Sequence, residues 1–280
     1  MRRFLLPSLM VLLAASSAAL AQSALRPGTT QFTVTQDGKH VGDAQSSTAA
    51  ISGGDALTSS GGMKLDKFSY SFQSSATVDS QGNLVRDRLT GSVQSAKVSG
   101  NNIQFDTASD STGRSFQINV TADGKHTTNS VTRHRNTVLM PDLDPAAYAL
   151  MAHLALSQPQ TAWVLVPKQD GILVPAHYRL LSDLNGTLNG QHITVKHSAV
   201  AVGVQNAVVV ELFYTASGDL LEADLDAQGL QIAQNGFKLL NRPKPVPPPA
   251  GEAPQQNGQQ GGQQSPQQDQ PQQGQEQPQQ

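Results

Sequence analysis

The stretch Ala207–Leu240, AVVVELFYTASGDLLEADLDAQGLQIAQNGFKLL, constrains this chain more than any other. It opens on Val208-Val209-Val210 and Leu212-Phe213-Tyr214, a β-branched and aromatic run that predicts a strand covered on both faces. Ser217-Gly218-Asp219 then interrupts it, because glycine supplies the positive φ of a tight hairpin. Beyond the break, Leu221, Ala223 and Leu225 alternate with Glu222 and Asp224. A second break at Ala227-Gln228-Gly229 leads to Leu230 and Ile232 alternating with Gln231 and Ala233. Short turns between alternating segments predict a three-stranded antiparallel meander, dry on one face and wet on the other.

The chain upstream repeats this pattern. Phe32 and Val34 precede the hairpin dipeptide Asp37-Gly38, and Phe68, Tyr70 and Phe72 alternate with Ser69 and Ser71. Ile103/Phe105 and Phe116/Ile118/Val120 alternate likewise between breaks at Gly82, Gly100, Gly113 and Gly124. Turn signals about every ten residues are the mark of an antiparallel sandwich or barrel-like sheet. One helix interrupts it at about 144–157: Asp144 suits the N-cap, Pro145 the first turn, and the following residues are helix formers. Leu150, Leu154 and Tyr148/Met151 form its expected packing stripe, with His153 near the edge. After it, Trp163–Val166, Ile172–Leu181 and Ile193–Val204 read as strands. The apolar parity changes between Ile193/Val195 and Val200/Val202/Val204, which predicts a bulge near His197–Ala199.

The ends of the chain read differently. Arg2-Arg3, the apolar run Phe4–Leu13 and Ala19-Leu20-Ala21 form the three parts of a secretory signal peptide over residues 1–21. From Asn241 onward the chain is Pro, Gln and Gly with little that is apolar; nine of the sixteen prolines lie there, so a disordered tail is expected over 241–280. The folded part is thus 22–240, long enough for one self-sufficient core. With no cysteine, that core has no disulfide to help it, and no thiol nucleophile or ligand is available. The compartment read from these features is periplasmic or secreted. A formal charge of −2 without a basic cluster argues against nucleic acid as a partner, and no stretch past the signal is long and apolar enough for a transmembrane span.

Motifs for chemistry are missing: there is no Gly-x-Ser-x-Gly elbow, P-loop, dinucleotide glycine pattern or His-Glu-x-x-His. Asp224–Gly229 has the start of a calcium loop, but Asn235 stands where a bidentate Glu belongs, so it reads as a turn. The seven histidines form no ligand pattern; His192 and His197 differ in parity along one strand. No cofactor, metal or catalytic set is expected. Glu211, inside the most apolar strand, would be an acid–base candidate if buried, but alternation places it on the solvated face with Glu222 and Asp224.

The order of helix Asp144–Leu156, then Trp163–Pro167, Ile193–Val195, Val210–Tyr214, Ser217–Leu221 and Gln228–Ile232 resembles a group of uncharacterised exported bacterial β-rich domains of unknown function. That resemblance implies a large curved antiparallel sheet, half-barrel or sandwich-like, wrapping one packed α-helix, similar to periplasmic lipoprotein-carrier half-barrels. It carries no catalytic residue. The functional expectation is a non-catalytic binding protein holding an apolar or lipid-like ligand on the concave face, where Leu150, Leu154, Trp163, Tyr178 and Phe213 would converge. The alternative is a structural or assembly protein of the cell envelope, with another envelope protein as partner.

Overall fold

A computed structural model describes residues 25–95, 103–112, 114–122, 124–139, 143–157, 162–166, 172–204 and 207–248. The expected signal peptide, and the tail beyond residue 248, lie outside them. Seventeen strands, one α-helix and a single 3-10 turn at Asp226–Gln228 are found among the described residues, and the mainly-β expectation holds.

The first eight strands are β1 (Gly28–Gln36), β2 (Lys39–Ile51), β3 (Gly54–Leu65), β4 (Phe68–Asp79), β5 (Leu84–Ser95), β6 (Ile103–Thr112), β7 (Ser115–Ala122) and β8 (Lys125–Thr132). They form a meander in which each strand pairs antiparallel with the next. Their period-2 pattern puts Phe32, Val34, Tyr70, Phe72, Phe116 and Ile118 inside, as expected, with Ser69 and Ser71 outward. Next come β9 (Thr137–Leu139), α1 (Pro145–Leu156), β10 (Ala162–Val166), β11 (Ile172–Leu180), β12 (Leu184–Leu188), β13 (Gln191–Val202), β14 (Val208–Tyr214), β15 (Leu220–Leu225), β16 (Leu230–Gln234) and β17 (Phe237–Leu239). β16 closes back onto β1. Hydrogen-bonded pairing therefore runs from β9 through β10, β11, β13, β14, β15 and β16 into β1 and on to β8. One pairing departs from the antiparallel expectation: β9 and β10, joined through α1, lie parallel.

The two arms of this ribbon overlap. On β10, Val164 belongs to the main core, whereas Leu165 and Leu139 pack with Leu84, Phe116, Ile118 and Val120 of β5 and β7. The sheet thus curls past itself, leaving β9 and β10 covered on both sides.

α1 occupies the inside of the curl, in contact with β2, β3, β9, β14 and β15. Asp144 caps it by accepting the Ala146 amide (2.9 Å), Pro145 fills the first turn, and Ser157 closes it by donating amide and hydroxyl to the Leu154 carbonyl. A single apolar stripe was expected, yet Pro145, Ala146, Ala147, Tyr148, Leu150, Met151, Ala152, Leu154 and Ala155 are all buried. Only Ala149, His153 and Leu156, along one face, are half-buried, so the helix fills most of the concave face rather than roofing it. Each large side chain it buries contributes about 2 kcal/mol of gross stabilisation.

Two local expectations are corrected. The register between β13 and β14 runs unbroken from Lys196 to Val202, so the bulge expected near His197–Ala199 is absent. The parity change has another cause. Residues 191–195 pair with β12 in a small outer sheet completed by β17, and there Val195 packs outward with Phe213, Leu221 and Phe237. Farther along the same strand, Val200 and Val202 point inward to the main core. The bulge lies instead in β15, opposite Phe213–Tyr214, and it puts Leu220 inside and Leu221 in the outer cluster.

The meander's second face is not wet either. All six residues of β15 are buried, including Glu222 and Asp224, and Glu211 on β14 is only 3% exposed. The chain after residue 240 covers them. Arg242 bonds to Glu222 (2.5 Å) and to Asp224, and the Val246 amide donates to Glu211 (2.6 Å). The segment 241–246, which composition assigns to the tail, is bonded to the domain.

Candidate ligand cleft

The turns at one end of the curled sheet gather around the C-terminal half of α1. The β2–β3 turn brings Ala50, Gly53, Gly54 and Asp55; the β4–β5 turn brings Asp79, Ser80, Gln81 and Gly82; the helix adds Leu150, His153, Leu154, Leu156 and Ser157; Leu25 completes the wall. Between them lies a cleft of about 670 Å³.

Its floor exists because the helix side chains that reach this end are leucines and a histidine. His153 is held between two turns. A Cβ on Gly218 of the β14–β15 turn would stand 2.9 Å from Leu156 Cδ1 and 3.3 Å from His153 Cα, so this turn must close on the helix without a side chain. On the other side a Cβ on Gly82 would come within van der Waals range of the imidazole, 3.8 Å from its Cδ2. Burial holds the His153 pKa below the usual histidine range, against the opposing pull of Asp55 and Asp219. The imidazole is therefore neutral at neutral pH.

Asp55 is the group that sequence reading missed. In Gly53-Gly54-Asp55 it looks like a turn residue, yet it is 6% exposed. Its Oδ2 accepts the Leu25 amide (3.3 Å), while Oδ1 is buried without a hydrogen-bond partner. Asp79, on the opposite rim, is occupied: Oδ1 accepts the amides of Gln81 and Asn83 (2.9 Å each), and Arg133 stands 3.7 Å from Oδ2.

The five residues expected to surround a ligand do not converge. Leu150 and Leu154 line the cleft. Tyr178 packs against the main core with its hydroxyl buried and unpartnered, its pKa raised by burial and by Tyr214. Trp163 stacks on His134 (4.2 Å between centroids). Phe213 faces the other side of the sheet, stacked on His197 (4.6 Å) in the outer cluster. Parity explains that last miss: on β14 the alternate residues Val210, Leu212 and Tyr214 point inward.

Glu211 is buried and paired, contrary to the solvated-face expectation. Its Oε2 lies 2.7 Å from His197 Nε2. Burial pushes its pKa up, but the His197 bond, the Val246 amide and the His197 charge outweigh that and leave it below the usual range. Both side chains are 4% exposed or less, beneath the 241–246 segment, so an acid–base role has no open face here. Among the described residues, no three His, Asp or Glu side chains are placed to hold a metal ion. Nor, among them, is any helix long and apolar enough to cross a membrane.

The sequence matches no family model and no curated protein. Two solved structures align with the chain. One is the crystal structure of a β-barrel-like protein of a domain of unknown function, DUF1849, from Brucella abortus; it aligns with a TM-score of 0.53 at 9% identity, over 78% of this chain and 99% of that one. The other is a DUF1089 family protein from Pseudomonas aeruginosa, with a TM-score of 0.38, 13% identity and coverage of 64% and 87%. The first shares the barrel-like architecture; the second is too distant to add to it.

Proposed function

We propose that this chain is an exported, non-catalytic binding protein that holds an apolar or lipid-like ligand at the open end of its helix. The concave face beneath α1, where such a ligand was first expected, is packed shut. The observation that carries the reading is the cleft beside it: about 670 Å³, with Leu25, Ala50, Leu150, Leu154 and Leu156 along the wall and polar groups at the rim. Ligand sites have this size and this mixture. Export rests on the signal-like residues 1–21, and the wrapped sheet is the architecture that the likeness to lipoprotein-carrier half-barrels implies.

The test is mass spectrometry of organic extracts from protein purified out of its native host, beside an Ala50→Trp variant. Ala50 is an exposed cleft-wall residue near the end of β2, so the indole fills the cleft without entering the core. A bound amphiphile present in the parent and lost from Ala50→Trp is expected. No co-purifying molecule, together with no saturable binding of medium-chain alcohols, acids or amines, would sink the reading.

A second reading, an envelope assembly protein, draws on β8, where every side chain from Lys125 to Ser130 is exposed. Native mass spectrometry of the chain with and without residues 249–280 addresses it: a tail-dependent complex favours assembly over carriage.

A further inference from the structure

We propose that residues 241–248 form a latch with two clasps, which open in order as pH falls while the domain beneath stays folded. Arg242 lets go first and the Val246 amide last.

The segment is built to swing. β17 ends at Leu239, and the Leu240 amide is fixed to the Asn185 carbonyl (2.9 Å). Asn241 follows with a φ of 54°, a left-handed turn that asparagine tolerates, and the chain beyond it lies on β15 and β14. It is held there at two points. Arg242 bonds to Glu222 and Asp224 of β15, and the Val246 amide donates to Glu211 of β14. Apart from these clasps the attachment is thin: only Pro243 and Val246 are half-buried, and the rest of 241–248 is exposed. A segment that buries so little apolar surface is closed by its polar bonds and opens locally when they fail. Opening uncovers His197 and Glu211, each 4% exposed or less, and Phe213, on which His197 stacks (4.6 Å).

The two clasps answer protons differently. The charges that act on Arg242 are those of Glu222 and Asp224, and of Asp226 in the turn after β15. Burial and the Asp224 charge push Glu222 up to about 8, and burial raises Asp224; Arg242 pulls both down. Lifting Arg242 therefore lets both carboxyls rise further, so opening takes up protons and falling pH favours it. Glu211 is biased the other way. Burial pushes it up, but the His197 bond (2.7 Å), the Val246 amide and the His197 charge hold it below the usual range, with Asp226 beside it. It keeps its charge, and its hold on Val246, to a lower pH than the β15 pair. Lys244, exposed between the clasps, is the strap's other charge.

Nitrogen-15 relaxation of the whole exported chain reads each clasp by itself, with the Lys244 amide reporting the first, the Val246 amide the second and Val210 of β14 the domain. At pH 8 all three order parameters should be about 0.85. As pH is lowered, Lys244 should fall below about 0.6 first and Val246 at a lower pH, while Val210 stays rigid. Glu222→Gln combined with Asp224→Asn removes the charges under Arg242, so Lys244 should be mobile already at pH 8 with Val246 still held. A salt series on the parent chain needs no substitution and keeps the test if that variant does not fold. Sodium chloride at about 1 M, pH 8, screens the 42%-exposed guanidinium but not the enclosed Glu211 bond, so Lys244 should again loosen first. Lys244 rigid down to pH 3 beside a rigid Val210, both amides loosening at one pH, or Val246 loosening first would each overturn the latch. So would a folded double variant with Lys244 unchanged, or a strap indifferent to salt.

Discussion

Two groups of acids are buried in this fold, and they are accommodated in opposite ways. Inside the curl, Asp87 of β5 is 1% exposed, neither of its oxygens has a hydrogen-bond partner of good geometry, the Arg88 amide helping only weakly, and the charge that acts on it is another acid, Asp144. Burial first, and the Asp144 charge second, push its pKa well above the usual carboxylate range, so Asp87 gives up its proton less readily than a carboxyl in water. Asp144 is also raised by burial, but Ser74 (2.5 Å) and the first helix amides pull against that. On the outer face, Glu222 and Asp224 face Arg242, and Gln231 donates to both (3.2 Å each). Even so, burial and the Asp224 charge push Glu222 up to about 8, with Arg242 offsetting only part of it. The inner site avoids charge; the outer one imports a cation and an amide from beyond the expected domain end. The difference teaches that 241–246 is a strap on which three buried acids depend.

The largest predicted effect follows from cutting that strap. Truncation after Leu240 removes Arg242 and the Val246 amide together and leaves Glu222, Asp224 and Glu211 under-compensated. A loss of about 3 kcal/mol in urea unfolding at pH 7 is expected. Truncation after Pro248 should change stability by less than about 0.5 kcal/mol, because the composition beyond it offers little to bury. Equal melting temperatures for the two truncations would refute the strap.

Arg242→Ala isolates the cation. Its guanidinium is 42% exposed, so solvent screens part of the pairing, and the expected loss is about 2 kcal/mol rather than the 3–5 of a fully enclosed pair. The cost should shrink as pH falls, because Glu222, pushed up to about 8, and Asp224, also raised by burial, take up protons and then need no partner. A loss that stays constant from pH 4 to 8 would show that Arg242 acts through packing on Phe213, 5.7 Å from its ring, instead of through charge.

Smaller again is Val246→Pro, which removes one amide donor from Glu211 and leaves His197 in place. About 1 kcal/mol is expected. Because the Glu211 pKa is depressed, its contribution is present above the unfolded carboxylate pKa and is lost as pH falls through the lower, folded value. The variant should therefore differ from the parent at neutral pH and converge with it in acid.

These acids also show how far the sequence could be read. Phe32, Val34, Tyr70, Phe72 and the helix N-cap Asp144 followed from period, turn chemistry and capping, because each depends on neighbours within a few residues. Glu222 and Asp224 did not. A charged residue that alternates with leucines looks the same whether it meets water or an arginine 18 to 20 residues away. The parity change in β13 misled for a related reason: which face is buried switches along the strand, because an outer sheet begins there. At the cleft, Leu150 and Leu154 were legible from helical spacing. Asp55 was not, since Gly-Gly-Asp is equally good turn chemistry and nothing local says that its carboxylate is walled in.

The inner pair gives the smallest effect and the opposite sign. Asp87→Asn keeps the shape and removes the ionisable group, so it should be neutral or stabilising by up to about 1 kcal/mol at pH 7, where every strap substitution costs stability. The pH dependence fixes the cause. A carboxyl with a raised folded pKa keeps its proton while the unfolded chain releases it, so stability falls as pH rises above about 3.8, and stops falling once the folded group ionises. Glu222 has the same sign between about 4.5 and 8. The parent should therefore lose stability from pH 4 towards pH 8, with Asp87 and Glu222 both contributing. Asp87→Asn should flatten that slope without abolishing it, and Glu222→Gln should remove a separate share. Urea midpoints at half-unit steps from pH 4 to 8 read both. If Asp87→Asn left the slope unchanged and lowered stability at every pH, Asp87 would be a charged partner in the core, and the contrast between a protonated interior and a cation-capped exterior would not survive.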